Sequence, residues 1–214
     1  MSMRTPFTQS FELLPETLPI FPLQGAVLLP GGNLPLNIFE PRYLNMVQDA
    51  MQTHRLIGMI QPRDQAKVPA LYDVGCAGRV TRFLETQDGR LEIVLTGVCR
   101  FRVQQELDSV RGYRIVIPTW SGYESDYSEE EASETAMAML HASLRTFFEK
   151  NDIDADWNLL DQLNPALQVS TLLGALPLKD EDKQLLLETS SLEQRLRAFA
   201  LLLLGDEDIP AQQH

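Results

Sequence analysis

Asp88-Gly89 divides two extended runs, Val74–Thr86 and Leu91–Leu107, and this pair limits the fold more than any other feature of the chain. Both runs are rich in β-branched and aromatic residues, and Asp-Gly suits the tight turn that joins antiparallel strands, so a long hairpin is expected here. Gly75, Gly78 and Gly97 fall inside the two strands. Glycine in a strand interior marks a bulge or a tight bend, so the sheet is expected to curl toward a barrel.

The flanking segments extend this reading. Residues 18–38 are short extended pieces broken by Pro19, Pro22, Pro30 and Pro35. Proline cannot donate to a ladder, so these pieces belong at strand ends, edges or bulges. Gly31-Gly32 is a turn signal. The period then changes: Pro41 suits a first helical position, and Tyr43, Met46, Val47, Ala50 and Met51 recur at helical steps, which predicts a helix over about 41–52. Leu56–Ile60 reads as a strand, 63–73 as a loop, and Tyr113–Trp120 as a further strand.

Beyond residue 127 the pattern is helical. Ser128-Glu129-Glu130-Glu131 and Ser191-Leu192-Glu193-Gln194 are capping-box patterns, and Asn164-Pro165 is a third helix start. Ala136, Leu140, Leu144, Phe147 and Phe148 share one helical face. Short connections predict a small bundle. The expected class is therefore α+β. The organisation is an N-terminal tail over 1–17, a β-rich part with one inserted helix over 18–120, a linker over 121–127, a helical bundle over 128–205 and a C-terminal tail over 206–214.

Charge follows the same division. The 214 residues carry a net −12. Residues 1–122 hold 12 basic and 11 acidic side chains, whereas 123–214 hold 6 and 19. The acidic half disfavours nucleic acid, which is bound through clustered Lys and Arg; the first half leaves it open. Runs such as Glu129–Glu131 and Asp180–Asp182 sit at predicted helix starts, where negative charge is stabilised by roughly 0.3–1 kcal/mol each. The absence of an apolar run of about 20 residues and of a signal-like N-terminus predicts a cytoplasmic protein without a membrane span.

Chemistry-bearing motifs are sparse. No GxGxxG, Walker lysine or GxSxG elbow occurs, and Pro30-Gly31-Gly32-Asn33 lacks the lysine a phosphate loop needs. Cys76 and Cys99 fit no metal spacing and read as small strand residues, with a redox pair as the alternative. His54 suits a helix C-terminus, and His141 a packed or surface helix position. No cofactor, metal or catalytic residue is therefore assigned. The densest mixture of aromatic and charged residues is Ile38-Phe39-Glu40-Pro41-Arg42-Tyr43. Either Arg42 and Tyr43 line a recognition cleft there, or Phe39 and Tyr43 are core while Glu40 and Arg42 pair locally.

Three blocks, Leu18–Leu23 (LPIFPL), Val27–Gly31 (VLLPG) and Leu34–Tyr43 (LPLNIFEPRY), resemble the opening of the Lon protease N-terminal (substrate-binding) domain family. Met46, Val74-Gly75, Asp88-Gly89-Arg90 and Gly97–Val103 fit the same pattern, as do Leu176-Pro177, Lys183–Glu188 and Glu193–Leu196. The resemblance implies a PUA-like β pseudo-barrel followed by a helical bundle. In Lon proteases such a region helps recognise substrate proteins ahead of ATPase and Ser-Lys peptidase modules. A 214-residue chain leaves no room for either, so a stand-alone, non-enzymatic member is expected.

Two functions follow. The first is a polypeptide-binding module, with polypeptide substrates or a protease or chaperone as partners, acting as a substrate-recognition adaptor through Phe39, Glu40, Arg42, Tyr43, Arg100 and Phe101. The second is RNA binding by the β half, where Arg79, Arg82, Arg100 and Arg102 with Phe83 and Phe101 would make a basic-aromatic face. A solvated strand face is the plainer account of those arginines.

Overall fold

The computed structural model describes residues 9–108, 111–128 and 131–205. The chain separates into two compact units, residues 1–129 and 130–214. The first contains β1 (Leu18–Pro22), β2 (Asn33–Ile38), α1 (Pro41–Gln52), β3 (Leu56–Ile60), β4 (Val74–Glu85), β5 (Leu91–Leu107) and β6 (Arg114–Thr119). The second contains α2 (Glu134–Lys150), α3 (Trp157–Asp161), α4 (Pro165–Ala175), α5 (Asp180–Glu188) and α6 (Leu192–Gly205). The α+β class, the inserted helix and the helical second part are as the sequence predicts.

β5 organises the first unit. The strand order is β2-β5-β4-β3-β1-β6, and a further β5–β6 pairing closes β5, β4, β3, β1 and β6 into a barrel. β1 and β3 run parallel; every other pair is antiparallel. β5 achieves three pairings by dividing its length. Residues 91–96 hold β2, residues 102–107 hold β6, and β4 follows it from 91 to 102. The ladder shifts register between Ala77 and Gly78, between Val80 and Arg82, and between Val103 and Gln105, which lets the long strand bend around the core.

Gly97 sits at the bend for a steric reason. A Cβ there would overlap the Leu29 carbonyl oxygen. Its own N–H donates to Gly32 O (2.8 Å), and its carbonyl accepts from Gly31 N–H (2.9 Å). The Gly31-Gly32 turn is thus laid directly against β5.

The barrel interior is filled by Leu18, Ile20, Leu56, Ile60, Ala77, Val98, Cys99, Phe101 and Val116. Phe11, Leu14, Trp120, Tyr123 and Tyr127 pack against this cluster. Two expected boundaries therefore change. Residues 9–17 are not a loose tail: Trp120 Nε1 donates to Pro15 O (3.0 Å), and Tyr127 Oη donates to Gln9 O (3.2 Å). Nor is 121–127 a linker. Glu124–Tyr127 forms a 3-10 turn, and Asp126 anchors it to Arg100 of β5. The aromatic side chains of Trp120, Tyr123 and Tyr127 bury surface against the barrel cluster, which is why this segment packs instead of linking. Residues 1–8 and 206–214 lie outside the described residues.

Helix α2 also begins later than the Ser128 pattern predicts; Glu129 and Glu130 lie outside the described residues. Ser133 is the N-cap, its Oγ accepting from Ala136 N–H (3.1 Å). The carboxylate that completes the cap comes from α6: Glu193 accepts from Ser133 N–H (3.0 Å) and Oγ–H (2.9 Å). The other two starts match expectation, with Asn164 accepting from Leu167 N–H and Ser191 from Gln194 N–H. In α6, Leu196, Phe199, Ala200 and Leu203 are buried, as are Leu140, Leu144 and Phe147 of α2. Arg195 is buried too, its guanidinium donating to Leu186 O (2.9 Å) and Thr189 O (3.0 Å) at the end of α5. Sequence reading misses α3, whose five residues are too few to establish a helical period.

Two outcomes test this arrangement. Gly97→Ala is expected to cost about 1–3 kcal/mol or more through overpacking, read as a lower urea midpoint. The Ser133 N–H bond, followed by the Arg197 side chain, holds the Glu193 carboxyl below its ordinary value of 4.5. A carboxylate with a depressed folded-state pKa stabilises the fold above its unfolded value, and that contribution is lost as pH falls through the folded value. Acid titration followed by helical circular dichroism should therefore show less loss below about pH 4.5 attributable to this site in Glu193→Gln, which should start less stable at neutral pH.

Candidate polypeptide-binding surface

Beyond the closed barrel, β2, the first half of β5 and the outer half of β4 form a three-stranded leaf. Its burial alternates as a half-exposed sheet requires. Ile38, Leu91, Ile93, Leu95 and Val80 are buried on one side, whereas Asn33, Pro35, Asn37 and Glu92 are exposed on the other. Register defines the rows of the exposed face. Pro35, Val94 and Arg82 lie side by side, followed by Asn37, Glu92 and Leu84. At one end Thr96 donates to Asn33 Oδ1 (2.8 Å) and lies 2.9 Å from the Thr81 hydroxyl. At the other, Phe39 leaves β2 with 62% of its surface exposed, and the Arg90 guanidinium stands 5.8 Å from its ring. Leu84 is 46% exposed on the same face. The result is a solvent-facing strip of four apolar side chains interleaved with Arg82, Glu92 and Arg90.

β2 is the edge of this leaf. Gly97 N–H donates to Gly32 O, so strand alternation directs the backbone groups of Leu34, Leu36 and Ile38 toward β5. Those of Asn33, Pro35 and Asn37 face outward. Pro35 has no N–H to offer, which blunts the edge against uncontrolled strand pairing.

The residues singled out from sequence separate. Phe39 is exposed rather than core. Tyr43 is buried in α1 with its ring 4.1 Å from that of Phe21, and burial raises its hydroxyl pKa. Glu40 and Arg42 pair locally (Arg42 Nη2–Glu40 Oε2 2.8 Å), and the Arg42 guanidinium lies 4.5 Å over the Tyr43 ring. That pair is half-exposed beside the strip. The turn before β6 is tied to α1 close by: Arg111 Nη1 and Tyr113 Oη each donate to Asp49 at 2.7 Å. Burial, then the bond to Asp49, pushes the Tyr113 pKa up to about 12.

Arg100 and Phe101 do not belong to a surface. Phe101 is in the barrel core, its ring 5.9 Å from that of Trp120. The Arg100 and Asp126 side chains are 1% and 4% exposed. Arg100 backbone N–H donates to Asp126 Oδ2 (2.7 Å), Nε to Oδ1 (3.0 Å) and Nη2 to Oδ1 (2.7 Å). Burial works to lower the Arg100 pKa, and the Asp126 carboxylate outweighs it, leaving a raised value. This removes Arg100 and Phe101 from the basic-aromatic face considered for RNA. Register also places Cys76 opposite Arg100 and Cys99 opposite Ala77, so the two thiols point to opposite faces of the β4–β5 ladder, and a redox pair does not form. Burial raises the Cys99 pKa, keeping it a protonated thiol. His141 fills a packing role, with Nε2 2.9 Å from Gln168 Oε1.

Sequence comparison places this geometry in a family. A profile of the ATP-dependent protease La (LON) substrate-binding domain matches residues 17–204. The chain belongs to this family. It is 26% identical over 204 residues to the Lon protease of Parabacteroides distasonis, covering 92% of this chain and 24% of that protein. With the Lon protease of Roseiflexus castenholzii the identity is 27% over 221 residues, covering 97% and 26%. The chain thus spans about a quarter of the length of these relatives. Among solved structures, the Lon N-terminal domain protein from Xanthomonas campestris superposes with a TM-score of 0.63 at 30% identity, covering 88% of this chain and 98% of that one. The N-terminal domain of the Mycobacterium avium complex Lon protease superposes at 0.61 with 17% identity, a likeness of fold. Among the described residues no helix is long and apolar enough to cross a membrane.

The Arg100–Asp126 pair generates a prediction that separates structure from binding. Removing one partner of a buried pair costs about 3–5 kcal/mol, because the other charge is left uncompensated. Arg100→Ala should lower the urea midpoint accordingly; an unchanged midpoint would sink the structural role given to this pair.

Proposed function

We propose that this chain binds polypeptide segments at the outer face of the β2–β5–β4 leaf and acts, without catalysis of its own, as a substrate-recognition adaptor for Lon-type proteolysis in the cytoplasm. The observation that carries the reading is the exposed strip running from Pro35 and Val94 to Leu84 and Phe39. Its apolar side chains bury area against exposed segments of a misfolded chain, while Arg82, Glu92, Arg90 and Asn37 hydrogen-bond a peptide backbone or polar side chains of varied sequence. Family membership supports the choice of ligand, and the curated relatives are named as proteases. An RNA reading is disfavoured because Arg100 and Phe101 are interior.

The test is fluorescence anisotropy with a reduced and alkylated, permanently unfolded protein. Phe39→Ser with Leu84→Ser should weaken binding about tenfold, or about 1.4 kcal/mol, with the unfolding midpoint unchanged. Equal affinity of the double variant and the parent would discard this surface. Adding the chain to a Lon-type protease should raise its turnover of the same protein; no change would remove the adaptor role.

A further inference from the structure

β4 outruns its neighbour on the barrel side. β3 pairs with it only from Cys76 to Arg79, and Val80 N–H then donates to Arg55 O (2.8 Å) on that side. From Thr81 to Glu85 the strand has β5 along one edge and, among the described residues, no strand along the other. All five of these residues are exposed. Phe83, 37% exposed, lies on the face opposite to Arg82 and Leu84. This stretch therefore meets water on both faces and along one edge.

Alternation decides which backbone groups that edge offers. Thr86 N–H donates to Arg90 O (3.0 Å), and the same inward direction passes to Leu84, opposite Glu92, and to Arg82, opposite Val94. The N–H and C=O groups of Phe83 and Glu85 consequently point away from β5. The two edges of the leaf are unequal. On β2 the outward donors are interrupted at Pro35, whereas Phe83 and Glu85 present two complete donor–acceptor pairs at the spacing an antiparallel strand uses. An unblunted edge of this kind is a template for an added strand.

The side chains define what that strand carries. Arg82 stands beside Leu84 on the outer face and Glu85 beside Phe83 on the other, and among the described residues neither charge is held in an ion pair. A carboxylate opposite Arg82, apolar residues opposite Phe83 and Leu84, and an ammonium opposite Glu85 would match all four positions as cross-strand pairs. β3 already runs antiparallel to β4, so an antiparallel segment would continue its line. Written from its N-terminus, such a segment reads basic, apolar, apolar, acidic.

We propose that a bound polypeptide adds to this leaf as an extended antiparallel strand along Thr81–Glu85, with preference for that charge pattern. The inference deepens the polypeptide reading of the strip, to which Arg82 and Leu84 belong, and rests on it for the class of ligand.

The test is a titration of the intact ¹⁵N-labelled chain with the capped peptide Thr-Lys-Val-Val-Glu-Thr, followed at the backbone amides of Phe83 and Glu85. Both signals should move saturably. N-methylation of the second valine, whose amide would bond Phe83, should weaken binding about tenfold, whereas N-methylation of the first, whose amide would face water, should change it less than about twofold. Glu85→Pro removes an outward donor without touching the β5 ladder and should also weaken binding about tenfold. Arg82→Glu should weaken it about fivefold and be restored by Thr-Lys-Val-Val-Lys-Thr, which fixes the pairing register. Unmoved Phe83 and Glu85 amides, equal effects of the two N-methyl groups, or failure of the restoring peptide would each overturn the proposal. A concentration-dependent dimer abolished by Glu85→Pro would assign the edge to a second copy of the chain and overturn it too. Unfolded protein that binds through Phe39 and Leu84 while the two N-methyl peptides behave alike would leave the strip standing and remove strand addition. Unfolded protein that does not bind at all removes the strip reading itself.

Discussion

β5 must pair with three strands along 17 residues, and most of the first unit follows from how it does so. A straight strand would offer its two edges to the same two neighbours throughout. β5 instead changes partner near its middle, where Gly97 lets the Gly31-Gly32 turn approach and register shifts bend the ladder. The half beyond the bend closes the barrel against β6. The half before it carries β2 away from the barrel and leaves the outer face of a three-stranded leaf in water. One constraint thus produces both the closed core and the open surface.

The closed part is secured by a polar group in an unusual place. Arg100 lies on the same strand as Phe101 and points away from the core cluster into a site sealed by Asp126. The ion pair joins strand to 3-10 turn, and Tyr123, whose ring lies 5.1 Å from the Arg100 guanidinium, completes the seal. A buried ion pair adds little net stability over an apolar contact. It ties the 124–127 turn to β5, because the buried Arg100 guanidinium and backbone N–H are both satisfied by the Asp126 carboxylate. In the second unit a solvent-accessible carboxylate makes a tertiary contact of another kind: Glu193 of α6 completes the N-cap of α2.

Much of this was legible in the residues. Asp88-Gly89 marked the hairpin, the interior glycines marked its bends, Pro41 opened α1, and Asn164 and Ser191 capped their helices where local bonds within four residues decide the outcome. The candidate site was half legible. Phe39 stood out in a dense aromatic and charged segment and is exposed at the end of the strip. Arg100 and Phe101 belong to the interior; Arg82 stands out only as a member of the basic-aromatic face considered for RNA, and nothing in the sequence singles out Leu84 or Val94. Alternation along a strand identifies two faces without saying which one is covered, and each bulge reverses the count.

Local chemistry therefore determined the element types, the hairpin, most helix starts and the family, since these depend on residues close in sequence. Tertiary structure alone decided that β5 serves three partners, that 121–127 is a packed turn, that Glu193 caps a helix 60 residues away, and that Arg100 is sealed while Phe39 is exposed. The physical reason is common to all four. Burial and pairing depend on which surfaces meet, and segments distant along the chain choose those meetings by packing and by the need to satisfy every buried polar group.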